Sequence, residues 1–200
     1  RNVFNCEPNI GVRVCRSNPL TLPKKVFDIL SEVGGGKYPI FNDEVIIDAL
    51  VRDGMPLKEA RDYAIVGCVE PNPYGNSLSI SNACYFNLAK CLELALTDGK
   101  CLLTGKQMGL HTGDARKFQS IDEVKHAFEA QTAWFVGKMT DSLNLIERTI
   151  AGITPHIYCS LLLDDCMAKG QDSAAGGSRY NYCGVQGVGA PDVGDALEAI

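Results

Sequence analysis

Long stretches with helical spacing of apolar residues alternate along this chain with short apolar runs typical of strands. This alternation limits the possible folds more than any other feature. Helical spacing is clearest over Leu22–Val33, Asn82–Thr97 and Ile121–Ile153. Tyr63–Gly67 is instead a compact apolar run, typical of a strand buried on both faces. The alternation predicts an α/β fold with a parallel sheet or barrel.

Shorter elements fill the intervals between these stretches. Glycines at Gly34–Gly36 predict the end of the first helix, and Asn42-Asp43-Glu44 predicts the start of the second. The remaining predictions are a short strand at Lys37–Phe41, helices at Asp43–Asp53, Leu57–Arg61, Leu161–Lys169 and from Pro191 onward, and loops at Tyr74–Ser81 and Tyr180–Ala190.

Charge and hydropathy exclude several kinds of partner. The formal net charge is −5, and lysines and arginines are scattered, so a nucleic acid or an anionic membrane surface is not an expected partner. No apolar stretch reaches the roughly 18 residues that a membrane helix needs. The first residues lack the pattern of a signal peptide. The sequence therefore predicts a cytoplasmic protein.

Nine cysteines are many for a chain of 200 residues, but their pattern favours neither a disulfide framework nor a zinc site. The count is odd, and Cys84/Cys91 and Cys159/Cys166 are each seven apart, too far to bridge along one helix face. No C-x-x-C or H-x-x-x-H pair occurs, so we expect no metal. Most cysteines are expected to be small buried hydrophobes in a reducing compartment.

Both ends resemble cuts in a longer protein. The chain begins at Arg1 without an initiating methionine, and its last helical pattern runs to Ile200 without a cap. We expect a fragment of something larger.

The segment around Cys68 carries the clearest chemical signal. Pro71 biases Glu70 away from helical geometry, and the preceding apolar run is strand-like, so Cys68 to Glu70 is expected to be extended. Residues two apart in an extended segment point to the same side, which would direct the thiol and the carboxyl into one cavity. Gly67 would let the backbone turn before the thiol.

Three interpretations of this segment remain open from the residues alone. Cys68 could be a buried structural cysteine beside a solvated Glu70. It could also be an ionic nucleophile, which needs a base, although the nearest cation in sequence is Arg61. Flanking apolar residues favour instead a neutral, desolvated thiol. A neutral S–H group suits hydrogen-atom chemistry.

The four residues Gly67-Cys68-Val69-Glu70 resemble the G-C-V-E signature of the glycyl radical enzymes, the pyruvate formate-lyase-like family. Other segments are similar to the family in the same order and spacing, and the similarity extends over nearly the whole chain. These segments are Phe41–Glu44, Ala60–Tyr63, Leu103–Lys106, Gly176–Asn181 and Gly184–Gly189.

The resemblance implies a helix-rich, ten-stranded βα barrel, with residues 1–200 as a single section from the later half of the catalytic domain. In such enzymes a glycyl radical takes a hydrogen atom from the cysteine, and the thiyl then abstracts hydrogen from a substrate carbon. Cys68 would be the thiyl and Glu70 the general acid/base. The family further implies a small organic substrate, a radical-SAM activating enzyme as partner, and a homodimer at full length.

Two departures from family patterns narrow the expected reaction. Gly67 stands where pyruvate formate-lyase itself has a second cysteine, so acyl transfer is not expected. Several eliminases of the family, including diol dehydratases, carry Trp-His-Asp where this chain has Ile80, Ser81 and Asn82. Losing both ionisable groups favours a lyase, decarboxylase or synthase that cleaves or forms C–C or C–X bonds. A diol or hydroxy-acid dehydratase is the alternative, and a noncatalytic fragment a further one. Ser81 and Asn82 are candidate substrate-binding residues.

The glycine-rich segment Arg179–Gly189 would, by the same resemblance, lie near the barrel interior. Asn181 and Gln186 are therefore candidate substrate-binding residues. The glycines do not follow the G-x-G-x-x-G order of a dinucleotide fold. Nothing like the family's C-terminal R-V-x-G-Y motif occurs, so the glycyl radical domain is absent. We expect no directly bound cofactor, a radical on a missing C-terminal segment, and an inactive isolated chain.

Overall fold

The computed structural model describes residues 10–33, 38–78 and 80–200. It divides into two compact units, Arg1–Asn82 with His156–Cys183, and Ala83–Pro155 with Gly184–Ile200. Each unit therefore combines two separate stretches of the chain. The predicted helix stop at Gly34–Gly36 lies outside the described residues.

The described residues form short strands and helices of very different lengths. In chain order they are β1 (Val12–Val14), α1 (Thr21–Val33), β2 (Ile40–Asn42), α2 (Asp43–Arg52), α3 (Leu57–Arg61), β3 (Tyr63–Val66), β4 (Glu70–Pro73), β5 (Cys84–Asn87), α4 (Leu88–Leu96), α5 (Ile121–Ile153), α6 (Ile157–Leu162), α7 (Cys166–Lys169), β6 (Val185–Val188) and α8 (Ala190–Ala199), with 3-10 turns at Ala115–Lys117 and Ser173–Ala175.

The first unit contains one parallel and one antiparallel strand pair. β1 and β2 are parallel, with Val12 opposite Ile40, and α1 forms the connection between them. β3 and β4 are consecutive and antiparallel. The side chain of Asn42 caps α2 by accepting a hydrogen bond from the Glu44 amide at 3.0 Å. This capping agrees with the predicted start of that helix.

The second unit pairs β5 in parallel with β6, and α4 follows β5 directly. A small apolar core of Leu92, Val124 and Val193 joins α4, α5 and α8. The 33 residues of α5 extend about 50 Å at the rise of an α-helix. Ser120 caps its first turn by accepting from the Glu123 amide.

The sequence predicted several elements correctly. The observed bounds of α1, α2, α3, α5 and α8 agree with the predicted helices to within one or two residues. None of the described helices combines the length and the apolar character needed to cross a membrane.

Three predicted elements were wrong. The helix predicted over Asn82–Thr97 begins only at Leu88, because Cys84–Asn87 pairs with β6 and Asn87 caps α4. The same pairing makes a strand of Val185–Val188, which was predicted to be loop. The helix predicted over Leu161–Lys169 is broken, since Asp165 has a positive φ of 75° just before α7.

The cysteines are less buried than expected. Cys91, Cys101 and Cys166 are buried, whereas Cys68, Cys159 and Cys183 are exposed. Cys84 lies on β5 and Cys91 on α4, so that pair does not share a helix face. No disulfide joins cysteines of the described part of the chain.

Candidate active site

Cys68 lies in the turn of the β3–β4 hairpin. The two strands pair in register from Tyr63 opposite Pro73 to Val66 opposite Glu70. Only Gly67, Cys68 and Val69 connect them, and Gly67 takes a left-handed φ of 61°. Three-residue connections are common between antiparallel strands, and glycine adopts a left-handed conformation without steric cost. The hairpin therefore presents the thiol at its tip.

Glu70 organises this turn through its carboxylate. Oε2 accepts hydrogen bonds from the amides of Cys68 and Val69, both at 3.1 Å. The side chain is folded back against its own turn, and the residue is only 7% exposed. Two amides that would otherwise lack a partner in the turn are thereby satisfied. The carboxylate is fixed beside the backbone of the cysteine.

Gly67 is required at its position for two reasons. Its left-handed backbone conformation is strained for residues with a Cβ. A Cβ at this position would also lie 2.8 Å from Oε2 of Glu70. Any other residue would therefore displace the carboxylate from the turn.

The prediction of an extended Cys68–Glu70 segment was wrong, because residues 67–69 form a turn. Cys68 and Glu70 are linked by a hydrogen bond from backbone to carboxylate. The alternation of side chains along a strand does not apply to them. Cys68 is exposed within this chain, and Val69 is 40% exposed. The desolvated surroundings expected for the thiol are not supplied by the described residues.

Polar contacts on Glu59 hold the end of the hairpin that lies away from Cys68. Its carboxylate accepts from Asn76 Nδ2 at 3.1 Å, from the Tyr180 hydroxyl at 2.8 Å and from Arg179 Nη1 at 3.0 Å. The Tyr180 amide also donates to the Asn76 carbonyl at 3.0 Å. Residues 179–180 are thereby tied to the segment that follows β4.

The start of β3 is held by a second group of contacts that sequence reasoning missed. Arg13 forms a bidentate ion pair with Asp43, and Tyr63 donates its hydroxyl to the same carboxylate at 2.7 Å. Asp43 and Tyr63 both fall in segments that matched the family pattern, Phe41–Glu44 and Ala60–Tyr63. Nothing in the sequence pairs either residue with Arg13, which lies outside the matching segments.

The four candidate substrate-binding residues lie in different segments of the chain. In the first unit, Ser81 and Asn82 lie in a turn before β5, and Asn181 is exposed in an irregular segment beside Tyr180. In the second unit, Gln186 is half-buried on β6, opposite Tyr85. Their roles in substrate binding stay predictions. Among residues 10–33, 38–78 and 80–200, no group of three or more His, Cys, Asp or Glu side chains could hold a metal ion.

Comparison with known proteins places this chain in a family. A family model described as pyruvate formate lyase-like matches residues 1–200. The chain is 35% identical over 193 residues to (2S)-3-sulfopropanediol dehydratase of Klebsiella oxytoca, covering 96% of this chain and 23% of that protein. It is 30% identical over 203 residues to isethionate sulfite-lyase of Bilophila wadsworthia, covering 96% and 24%.

The fold is also shared with solved structures. The glycerol-bound form of the B12-independent glycerol dehydratase of Clostridium butyricum superimposes with a TM-score of 0.82 at 36% identity, over 96% of this chain and 24% of that one. The chain therefore spans about a quarter of the length of the relatives it matches. The predicted α/β class, as a section of a βα barrel, is confirmed. Because the family model covers every residue, the chain belongs to the pyruvate formate lyase-like family of glycyl radical enzymes.

Proposed function

We propose that this chain carries the thiyl-forming cysteine of a glycyl radical enzyme that cleaves a carbon–heteroatom bond in a small organic substrate. Cys68 is the hydrogen-atom carrier, and Glu70 is the proton acceptor and donor. The observation that carries the proposal is the hairpin turn in which the Glu70 carboxylate, bonded to the Cys68 amide at 3.1 Å, is held beside the thiol-bearing residue.

The geometry suits different roles for the side chains of Cys68 and Glu70. Cys68 is at the tip of a short turn and is exposed, so a substrate can approach its sulfur. Glu70 is buried and oriented by two amide donors, so its carboxylate stays in one place while the substrate reacts. A fixed carboxylate close to the reacting carbon is a suitable general base.

The proposed steps balance in hydrogen atoms, protons and electrons. A glycyl radical, installed by a radical-SAM activating enzyme on a part of the protein outside this chain, accepts the hydrogen atom of the Cys68 thiol. The Cys68 thiyl then takes a hydrogen atom from a hydroxyl-bearing substrate carbon. Glu70 takes the hydroxyl proton and passes it to the neighbouring heteroatom group, which leaves with the bonding electron pair. The product radical recovers a hydrogen atom from Cys68.

The choice of elimination over C–C cleavage is supported by the relatives. Dehydratases of sulfopropanediol and of glycerol are 35% and 36% identical to this chain, and a sulfite-lyase is 30% identical. All three names denote loss of a group bound through oxygen or sulfur. From the sequence alone, dehydration is the alternative to a lyase, decarboxylase or synthase, and these relatives favour cleavage of a C–X bond, dehydration included. Ser81 and Asn82 then become the positions where this enzyme differs from diol dehydratases in handling its substrate.

Cys68→Ser in the full-length, activated protein tests the proposal. The serine O–H bond is too strong for the exchange, so we expect no turnover of glycerol, (2S)-3-sulfopropanediol or isethionate, each supplied in turn. The glycyl signal in electron paramagnetic resonance should persist. Cys159→Ser is the matched control, because Cys159 lies on α6, outside the β3–β4 hairpin, and it should retain wild-type turnover.

Two results would contradict the proposal. Turnover by Cys68→Ser would remove the thiol from the mechanism. An activated wild-type protein that cleaves a C–C bond of its substrate and leaves the C–O and C–S bonds intact would overturn the proposed elimination chemistry.

A further inference from the structure

We propose that Arg13 is a positioning residue for the Cys68 thiol, acting through β3. This inference rests on the function proposed above and extends it to a side chain outside the hairpin. Arg13 lies on β1, far from Cys68 in sequence, and contacts the hairpin at the strand that leads into the turn.

The Arg13 guanidinium binds the backbone where β3 begins. Nη1 donates to the Tyr63 carbonyl at 2.9 Å, and Nη2 donates to the Arg61 carbonyl at 3.1 Å. Two carbonyls, two residues apart, are held by one planar group. A guanidinium can do this because its donors are fixed in a rigid fork.

The same guanidinium is itself fixed by three further contacts. Nε and Nη2 donate to the two oxygens of Asp43, at 2.8 Å and 3.0 Å, and the group lies 3.9 Å from the centre of the Tyr63 ring. The Tyr63 hydroxyl closes the arrangement by donating to Asp43 at 2.7 Å. The hydrogen bonds from Arg13 lower the pKa of the Asp43 carboxyl, so the ion pair is complete at neutral pH.

Three elements therefore meet at Arg13. β1 carries the guanidinium, Asp43 is the first residue of α2, and Tyr63 is the first residue of β3. Gly11, the residue before β1, also approaches β3 closely, because a Cβ on Gly11 would lie 3.1 Å from the Ile65 side chain. The strand has little freedom to slide relative to β1.

A shift of β3 would be transmitted to the thiol. β3 runs without interruption from Tyr63 to Val66, and Gly67 and Cys68 follow at once. Val66 is paired with Glu70, whose carboxylate bonds the Cys68 amide. Thiol and carboxylate therefore move with the strand, and displacement of reacting groups by about 1 Å can cost a hundredfold in rate.

A second ion pair in the chain serves as a control. It distinguishes the positioning role of Arg13 from a general effect of altering an ion pair. Arg116 binds Asp114 in the same bidentate manner, at 2.9 Å and 3.0 Å, but its side chain is 89% exposed. The two residues are two positions apart in the same turn, in the second unit. Exposed pairs of this kind contribute little to stability.

Deuterium exchange into the glycyl radical site tests the inference without a substrate. In the proposed mechanism the Cys68 thiol exchanges its hydrogen with solvent and passes it reversibly to the radical glycine. Transfer of the activated, full-length protein into D2O should therefore collapse the α-hydrogen splitting of the glycyl signal. We expect Arg13→Lys, which keeps the charge but loses the fork, to slow this collapse by at least about tenfold. Arg116→Lys should exchange at the wild-type rate.

The measurement is made alongside radical content and melting temperature. We expect the radical content of Arg13→Lys to stay near the wild-type value, and its melting temperature to fall modestly because the contacts of the guanidinium fork are lost. A merely structural role would lower the melting temperature without changing the exchange rate per radical. Asp43→Asn is a second variant, which leaves the two carbonyl contacts of Arg13 possible, and it should also slow exchange.

The outcomes distinguish the two proposals. Wild-type exchange rates per radical in both Arg13→Lys and Asp43→Asn, with Cys68→Ser inert, would overturn the positioning role alone. Exchange by Cys68→Ser at the wild-type rate would overturn the function of Cys68, and the positioning role with it.

Discussion

Gly67 and Glu70 depend on each other within the turn of the β3–β4 hairpin. The carboxylate can reach the amides of Cys68 and Val69 only because position 67 has no side chain. The amides, in turn, orient the carboxylate. The four residues Gly67 to Glu70 thus encode both a turn and the position of the carboxylate that is proposed to be the proton acceptor.

Gly67→Ala should separate backbone strain from displacement of the carboxylate. The alanine Cβ would lie 2.8 Å from Oε2, at a φ of 61°. We expect a loss of roughly 1–2 kcal/mol in the free energy of unfolding from the left-handed backbone, and a large fall in kcat from the shifted carboxylate. Thermal unfolding and turnover of the full-length protein measure the two effects.

Gly170→Ala is the control for this substitution. Gly170 has the same φ of 61°, but no atom of a residue beyond its immediate neighbours lies within 4 Å of the position that its Cβ would take. Its loss of stability should be similar, with turnover unchanged. Equal turnover in the two variants would show that the Glu70 contact has no catalytic role.

At the scale of elements, the sequence predicts helices with capped ends and strong periodicity, and it fails where pairing with a distant strand decides the structure. Asn42 and Ser120 cap helix starts through local hydrogen bonds, so the starts of α2 and α5 could be predicted from the local sequence. β5 pairs with β6, about 100 residues away in the chain. No local pattern contains that information, and the run from Asn82 therefore resembled one long helix.

The same limit applies to the candidate site. The motif identified Cys68 and Glu70, but the extended geometry assigned to them ignored the capacity of a carboxylate to bond its own turn. Arg13 was not identified because its contacts join residues 30 and 50 positions apart. Such contacts arise from tertiary packing and leave no periodicity in the sequence.

Asn87 lies at the start of α4, a helix boundary that the sequence analysis placed wrongly. We predict that the Asn87 side chain determines where this helix begins. Oδ1 accepts from the Lys90 amide at 2.9 Å at the start of α4. Asn87→Ala should lower the free energy of unfolding by about 1 kcal/mol, the usual value of such a cap. Asn144→Ala, at an exposed position inside α5, should cause no loss. Equal melting temperatures for both variants would contradict the capping role.

At the scale of the whole molecule, one short helix exposes more apolar surface than a folded protein usually leaves uncovered. On α6, Ile157 is 63% exposed, Tyr158 84% and Leu162 83%. The helix has no charged residue, as its sequence is IYCSLL. Contiguous apolar patches of this kind mark contacts with other protein surface. Since the relatives are about four times as long as this chain, we predict that α6 is covered in the complete protein.

Hydroxyl-radical footprinting of the full-length protein checks this prediction at Tyr158. Tyr63, which is 2% exposed, provides the reference for a buried tyrosine within the same unit. If α6 is covered, Tyr158 should be protected in the native protein, relative to the unfolded one, about as strongly as Tyr63. Labelling of Tyr158 at the same rate in both states would show that α6 faces solvent. Because α6 leads through α7 to Tyr180 and its bond to Glu59, covering α6 would also restrain the segment that holds the base of the Cys68 hairpin.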